Sequence, residues 1–481
     1  MTHYATAPED RIPNHHKLIY GLGAFVNNLL AAAIGGMIIV LNLGLGMNPA
    51  LVGLLGALPR LTDAITDPLM GFISDNTRSR WGRRRPYILI GAITVGIIYA
   101  LLWQLPADKS ESFYFWYFLG GSLIFYLAYT IFATPWVALG YELTPDYHER
   151  TRLMGVSNFV GQVPYMIAPY FLAIMYNEQW FASEVEGAAG LAVIIGGFVI
   201  VVGIMPAIFL RERYQDIAEA ESKEKELSPI GAGGVVAHNV TNFLRGFVIT
   251  LKFKPFLKLC AATFLVFNGF ILIAAFQSYV IIYYVFGGDK DAGATFVGHS
   301  GLVGAVSTLF VIMLVTWMAT RIGKRRAFFV AIGISIVGYA LKWFCYTPEN
   351  PWLVLIPAPL MAFGLGGLFT LMGSMIADVV DADELQTHER REGMYGSIFW
   401  WVVKLGMAVA IAGGGFLLNA TGFDVALEGN QADRTIVWMR LFDAFIPAAA
   451  SAIAIWAIAS YSITEDKAHE IRQQLEARRG N

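Results

Sequence analysis

The sequence predicts an all-α polytopic membrane protein: twelve transmembrane helices in two six-helix bundles, with both termini cytoplasmic. Three observations carry that prediction. Charged residues make up 15% of the 481-residue chain, against about a quarter in soluble proteins. The remaining sequence gathers into apolar runs such as 87–105, 190–210 and 444–461, each near or above the ~18 residues a spanning helix needs. Lys and Arg are also shared very unequally between alternate loops.

Apolar runs bounded by charge or by Pro, Gly and Asn clusters give spans at 17–45, 50–74, 86–105, 113–141, 152–176, 188–210, 255–286, 295–320, 327–346, 352–378, 393–418 and 435–462. Residues 1–16 form a polar tail without the apolar stretch of a cleaved leader, so the first run reads as a span. Pro135 and Pro255 offer causes for kinks in the long fourth and seventh spans. With the N-terminus inside, 27 of the 34 Lys and Arg fall on inside segments, and only Lys109, Lys290 and Arg434 on outside loops. That asymmetry fixes both ends in the cytoplasm. The long inside segment 211–254 reads as a linker between the bundles 17–210 and 255–462, with 235–254 a candidate surface helix. Residues 463–481 form the C-terminal tail. The net charge of -2, without a basic-aromatic patch, leaves no footprint for nucleic acid. Cys260 and Cys345 lie near opposite faces of this topology and read as unpaired.

The halves repeat. Trp81-Gly82-Arg83-Arg84 follows the second span, and Ile322-Gly323-Lys324-Arg325 follows the eighth, 241 residues later. His148-Glu149-Arg150 and His388-Glu389-Arg390 are 240 residues apart, after the fourth and tenth spans. Two matches at nearly one spacing, both in inside loops, mark a duplicated six-helix unit. Two parallel six-helix halves around a cavity is the architecture of major facilitator transporters, which expose a midplane site by rocking one half against the other.

Ionised groups inside a span cost at least ~2.5–3.5 kcal/mol in lipid and therefore mark function or pairing. Asp63 and Asp67 are four apart on the second span, sharing a helix face, and Arg60 lies one turn earlier. Asp63 and Lys404 are each about eleven residues, roughly 16 Å, from the inside ends of their helices. Two carboxylates with one lysine leave a spare acid, which points to a cation site for Na⁺ or H⁺; the alternative is a structural Asp–Lys pair. If the ion is Na⁺, Asp63 and Asp67 are its metal ligands. Thr66 and Thr130 are possible oxygen ligands, although helix threonines often bond their own backbone. Arg440 and Asp443, three apart on the last span, are expected to pair, and Lys342 to snorkel. Arg150, Asp378, Asp381, Glu384 and Arg390 at the inside ends read either as a cytoplasmic gate or as solvated charge that sets orientation.

These residues also carry a family resemblance. Asp63-Ala-Ile-Thr-Asp67-Pro-Leu-Met-Gly71, followed by Ser74-Asp75-Asn-Thr-Arg78-Ser-Arg80-Trp81-Gly82-Arg83-Arg84-Arg85-Pro86, resembles the glycoside–pentoside–hexuronide:cation symporters, the melibiose permease group. Tyr20 to Phe25, Tyr141 to Thr151, Ala377 to Asp381 and Arg391 to Lys404 agree, so the likeness covers most of the chain. It implies that Asp63 and Asp67 bind the coupling cation, with Thr130 beside it and Lys404 matching the family's lysine. The sequence departs from the group where sugar-contacting charges are replaced by Asn28, Ala133 and Asn158. Asn27, Asn28, Asn158 and Gln162 remain as hydroxyl partners, and Trp136, Tyr165 and Trp400 as stacking faces or packing residues. The absent carboxylate at Ala133 leaves Na⁺ fewer hard ligands and tilts the expectation toward H⁺.

The resulting expectation is a monomeric secondary transporter of the cell inner membrane, in contact with membrane lipid. It takes a sugar, glycoside or sugar acid with H⁺ or Na⁺, and needs no cofactor. The alternative is a facilitator-type carrier of a lipid-like or other organic solute. An enzyme is not expected: the histidines read as tail and loop residues, and no HExxH or GxSxG occurs.

Overall fold

The computed structural model describes residues 8–77, 79–106, 108–144, 147–212, 250, 252–387 and 392–479. The described chain is helical and clusters into two compact units, Met1–Ser228 and Pro229–Asn481. Most of the linker expected at 211–254, including nearly all of its candidate surface helix, lies outside the described residues.

The first unit contains α1 (Asn14–Met37), α2 (Val40–Leu43), α3 (Pro49–Asn76), α4 (Arg85–Leu102), α5 (Glu111–Glu142), α6 (Tyr147–Ile167), α7 (Phe171–Met175), α8 (Glu184–Gly203) and α9 (Met205–Phe209). Their starts follow local chemistry. Asn48, Ser110 and Ser183 cap α3, α5 and α8 with side-chain oxygens that accept from Ala50, Phe113 and Glu186 N–H. Pro49 and Pro86 occupy the first turns of α3 and α4, where a missing N–H costs nothing. Helix α1 packs on α6, α3 on α5, and α4 on both α5 and α8. Glycines allow the closest approaches: a Cβ at Gly96 would lie 2.6 Å from the Gly196 carbonyl oxygen, and one at Gly196 would lie 2.4 Å from that of Gly96.

The second unit contains α10 (Lys254–Tyr279), α11 (Lys290–Ile322), α12 (Lys324–Cys345), α13 (Pro357–Thr387), α14 (Glu392–Ala420), α15 (Asp433–Ala459) and α16 (Glu465–Arg479). Helix α10 continues into a π-helical turn, Val280–Val285. Helix α15 packs on α10 and α12, and α13 on α11 and α12. Ile471 and Leu475 of α16 join the apolar core of this unit.

Among the described residues, ten helical stretches are long and apolar enough to cross a membrane. The expected second and fifth spans are not among them, and parts of both helices lie outside the described set. Within α3, Pro49–Thr62 is a shorter apolar stretch, and Arg60, Asp63 and Asp67 place charge along the same helix. Helix α6 opens on His148, Glu149, Arg150 and Arg152, and gives way to a 3₁₀ turn, Ala168–Tyr170. These two stretches carry many of the candidate functional residues.

The sequence repeat is also structural. Gly82 and Gly323 both have positive φ, 101° and 82°, which favours glycine. Each faces a carboxylate from just beyond the last long helix of its own unit. The Glu212 carboxylate accepts from Arg83, Arg84 and Arg85 N–H at 2.7, 2.8 and 3.0 Å, satisfying the orphan donors at the start of α4. A Cβ at Gly323 would meet a Glu465 carboxylate oxygen at 2.7 Å.

Candidate cation and solute site

Asp67 sits half-buried in α3, facing the threonine-bearing side of α5. Its Oδ1 accepts from Thr130 Oγ1 at 3.0 Å and from Thr134 Oγ1 at 3.4 Å. Thr66 Oγ1 lies 3.3 Å from Thr130 Oγ1 and also donates to Thr62 O at 3.1 Å. The sequence reading singled out Thr66 and Thr130 but missed Thr134. Its signal was the four-residue spacing from Thr130, which places both hydroxyls on one face of α5. Each hydroxyl spends one proton here and keeps lone pairs that can turn toward a cation. Asp63 lies one turn before Asp67 on α3; its side chain is outside the described set. The Arg60 guanidinium lies 5.6 Å from the Tyr126 ring centroid, and its Nε is buried without a partner among the described residues.

Beside this cluster runs a polar relay across three helices. Tyr129 Oη donates to Asn27 Oδ1 (2.8 Å), Asn27 Nδ2 to Asn28 Oδ1 (3.0 Å), and Asn28 Nδ2 to Gly161 O (2.8 Å). Part of the hydrogen-bonding capacity of the Asn28 amide is thus committed to the backbone of α6. Gln162 is half-buried, while Asn158 and Tyr165 are exposed on α6. Trp136 is placed differently. Only 6% exposed, it stacks on Tyr20 at 5.1 Å and donates Nε1 to Tyr20 O at 3.2 Å. It fills the space over Gly23, and in this structure it ties α5 to α1.

The chain matches the description MFS/sugar transport protein over residues 19–465. It belongs to that family. The glycoside–pentoside–hexuronide:cation symporter assignment drawn from its motifs agrees with the relatives. One is the isoprimeverose transporter of Lactiplantibacillus pentosus, 24% identical over 86% of this chain and 82% of the relative. Another is the glucuronide carrier protein homologue of Escherichia coli, 24% identical over 96% and 95%. The sodium-dependent lysophosphatidylcholine symporter 1 of Gallus gallus is 23% identical over 97% and 90%. Among solved structures, a bacterial homologue of the human lysosomal transporter Spinster superposes with a TM-score of 0.64 at 16% identity, covering 95% of this chain and 97% of that one. That likeness establishes the major facilitator fold.

In this MFS/sugar transport family member, the second unit holds the other sequence-selected residues. Lys404 is half-buried on α14. Trp400, exposed, stacks nearly parallel on Phe369 with centroids 6.0 Å apart. Of the gate candidates, Asp378 is held within its own unit by Lys324 Nζ, at 2.7 and 2.6 Å to its two oxygens. Asp381 is half-buried and Glu384 buried on α13. The Arg150 side chain and all of Arg390 lie outside the described set.

Three expectations need correction. Asp443 pairs with Lys342 of α12, not with Arg440: Nζ lies 2.5 Å from Oδ1, with the two side chains 4% and 1% exposed. On α15, Arg440 points instead to the end of α12, donating to Trp343 O. Lys342 therefore does not snorkel; a buried carboxylate on the neighbouring helix offers better charge compensation. His299 is not a loop residue: it lies in α11, stacked on Trp352 with centroids 6.3 Å apart.

The repeated motif His148-Glu149-Arg150 contributes an anchor the sequence did not reveal. Glu149 is 1% exposed and accepts from Lys17 Nζ (2.6 Å), Ile12 N–H (3.0 Å) and Arg152 (3.1 Å). Burial pushes its carboxyl up, but the hydrogen bonds from Lys17, Ile12 N–H and Arg152 and the Lys17 charge outweigh it and hold it below the usual range.

Proposed function

We propose that this protein is a cation-coupled symporter of a sugar, glycoside or sugar acid, working by alternating access in a bacterial-type inner membrane. The proposed topology has twelve spans and cytoplasmic termini. The observation that carries the reading is the intramembrane carboxylate of Asp67 set among the hydroxyls of Thr66, Thr130 and Thr134. A carboxylate in a span needs a cation or a proton to be tolerated, and hard oxygen donors around it suit Na⁺. A proton needs only the carboxylate. The hydroxyl shell, with Thr134 added, therefore favours Na⁺ and reverses the tilt toward H⁺ drawn from Ala133. Asp63 completes the cation pair, and Lys404 acts as the charge that substitutes for the cation when the site is empty. The names of the isoprimeverose and glucuronide relatives support a sugar-like solute, for which Asn27, Asn158 and Gln162 offer hydroxyl partners and Tyr165 and Trp400 stacking faces.

The second reading, a lipid-like solute, rests on the sodium-dependent lysophosphatidylcholine relative. One experiment separates the readings: uptake into proteoliposomes under imposed Na⁺ or H⁺ gradients, screened over glycosides, sugar acids and lysophospholipids. Gradient-driven sugar accumulation supports the first reading. Accumulation of lysophospholipid alone supports the second. Cysteine labelling at Lys109 and Lys290 from outside, and at Ser222 from inside, tests the topology.

A further inference from the structure

Because Lys342 takes Asp443, Arg440 is a cation in a spanning helix with no carboxylate paired to it among the described residues. Its guanidinium is nevertheless held firmly. Nη2 donates to Trp343 O at 2.7 Å, and Cζ lies 4.0 Å from the Tyr284 ring centroid and 4.6 Å from that of Trp343. Tyr284 is presented by the π-helical turn that ends α10, a distortion often found where a helix builds a site. Nε is buried without a partner among the described residues. One carbonyl satisfies only one of five guanidinium donors, and no carboxylate among the described residues pairs with the charge.

The surroundings limit what can compensate it. Phe344, Val437 and Phe445, on the same two helices, are 72%, 46% and 42% exposed, a face suited to acyl chains. Helix α15 has 27 residues, about 40 Å, and so overhangs a roughly 30 Å hydrocarbon core by about 5 Å at each end. Arg440 is its eighth residue, about 10 Å along the axis. The side chain reaches Trp343, two residues from the end of α12, so the guanidinium is drawn toward the headgroup level.

We propose that Arg440, framed by Tyr284 and Trp343, is a binding site for the phosphodiester headgroup of a membrane lipid, whose acyl chains lie along the exposed face of α12 and α15. The planar guanidinium offers its remaining N–H groups to phosphate oxygens, a charge-assisted contact. This site lies in the second unit and stands independently of the solute proposed above.

The test is a native mass spectrometry titration of the full-length, detergent-solubilised protein. The probes are dioleoylphosphatidylglycerol, a phosphate-free galactolipid with the same acyl chains, and soluble glycerol phosphate. Phosphatidylglycerol should bind Arg440→Gln about tenfold more weakly than the parent, with galactolipid binding unchanged and soluble glycerol phosphate failing to compete. Tyr284→Leu keeps the charge but loosens its frame, and should give a smaller loss; it carries the test if Arg440→Gln does not fold. Equal phosphatidylglycerol affinity in parent and variants overturns the proposal. So does an equal loss for the galactolipid, which would make the apolar face alone the determinant, or displacement by glycerol phosphate, which would make the ligand a free phosphate.

Discussion

Lys342 and Asp443, 101 residues apart in the chain, form a buried ion pair that joins α12 to α15. The pair lines a small cavity of about 10 Å³ with Gln277 and Tyr339, at the lower limit for one water molecule. Removing one partner leaves the other charge buried and uncompensated, whereas removing both does not. Asp443→Asn or Lys342→Met alone should therefore cost about 3–5 kcal/mol, while Lys342→Met with Asp443→Leu should come close to the parent. Thermal unfolding in detergent, run as a double-mutant cycle, measures this. Additive losses would show that the charges do not act as a pair.

For coupling, Asp67→Asn should abolish gradient-driven accumulation while leaving solute exchange measurable, because the cation is lost but the solute contacts remain. Thr134→Val should keep transport and raise the cation concentration for half-maximal uptake by about tenfold, the worth of one hydrogen-bonding ligand. Undiminished accumulation by Asp67→Asn under both gradients would reduce the carboxylate to a structural role.

Glu149 makes the first unit's stability depend on pH. Its folded carboxyl titrates below the unfolded value. The stabilisation is therefore complete above the ordinary glutamate range, near pH 4.3, and is lost as pH falls through the folded value. Glu149→Gln should be less stable than the parent at neutral pH, and the difference should shrink on acidification below about pH 4. A gap that stays constant across the acid range would contradict the assignment.

At Gly82 the φ of 101° and the Glu212 carboxylate, which a Cβ would meet at 2.6 Å, both oppose a side chain. Gly82→Ala should destabilise by about 1–3 kcal/mol. Gly323→Ala, at φ 82°, should behave alike. Neither loss should be relieved by salt, since the cause is steric and conformational. Substantial recovery of either variant at high salt would point to electrostatics instead.

The sequence by itself determined the membrane class, the duplicated halves and the family, because each is written in local properties: apolar runs, basic loops and motifs at a repeated spacing. Asp67, Thr66 and Thr130, singled out by helix spacing and a family motif, lie in one neighbourhood. Contacts between helices were decided only by tertiary structure. Spacing paired Arg440 with Asp443, but α12 brought Lys342 into closer reach. Trp136 read as a stacking face or as packing, and Tyr20 and Gly23 against it show packing. Glu149 stood in the sequence only as part of a repeated loop motif, whereas in the fold Ile12 and Lys17 bond its carboxylate. A helix sequence states which side chains share a face, but not which neighbour meets that face. In lipid, where an unpaired charge is costly, that neighbour decides what each charge does.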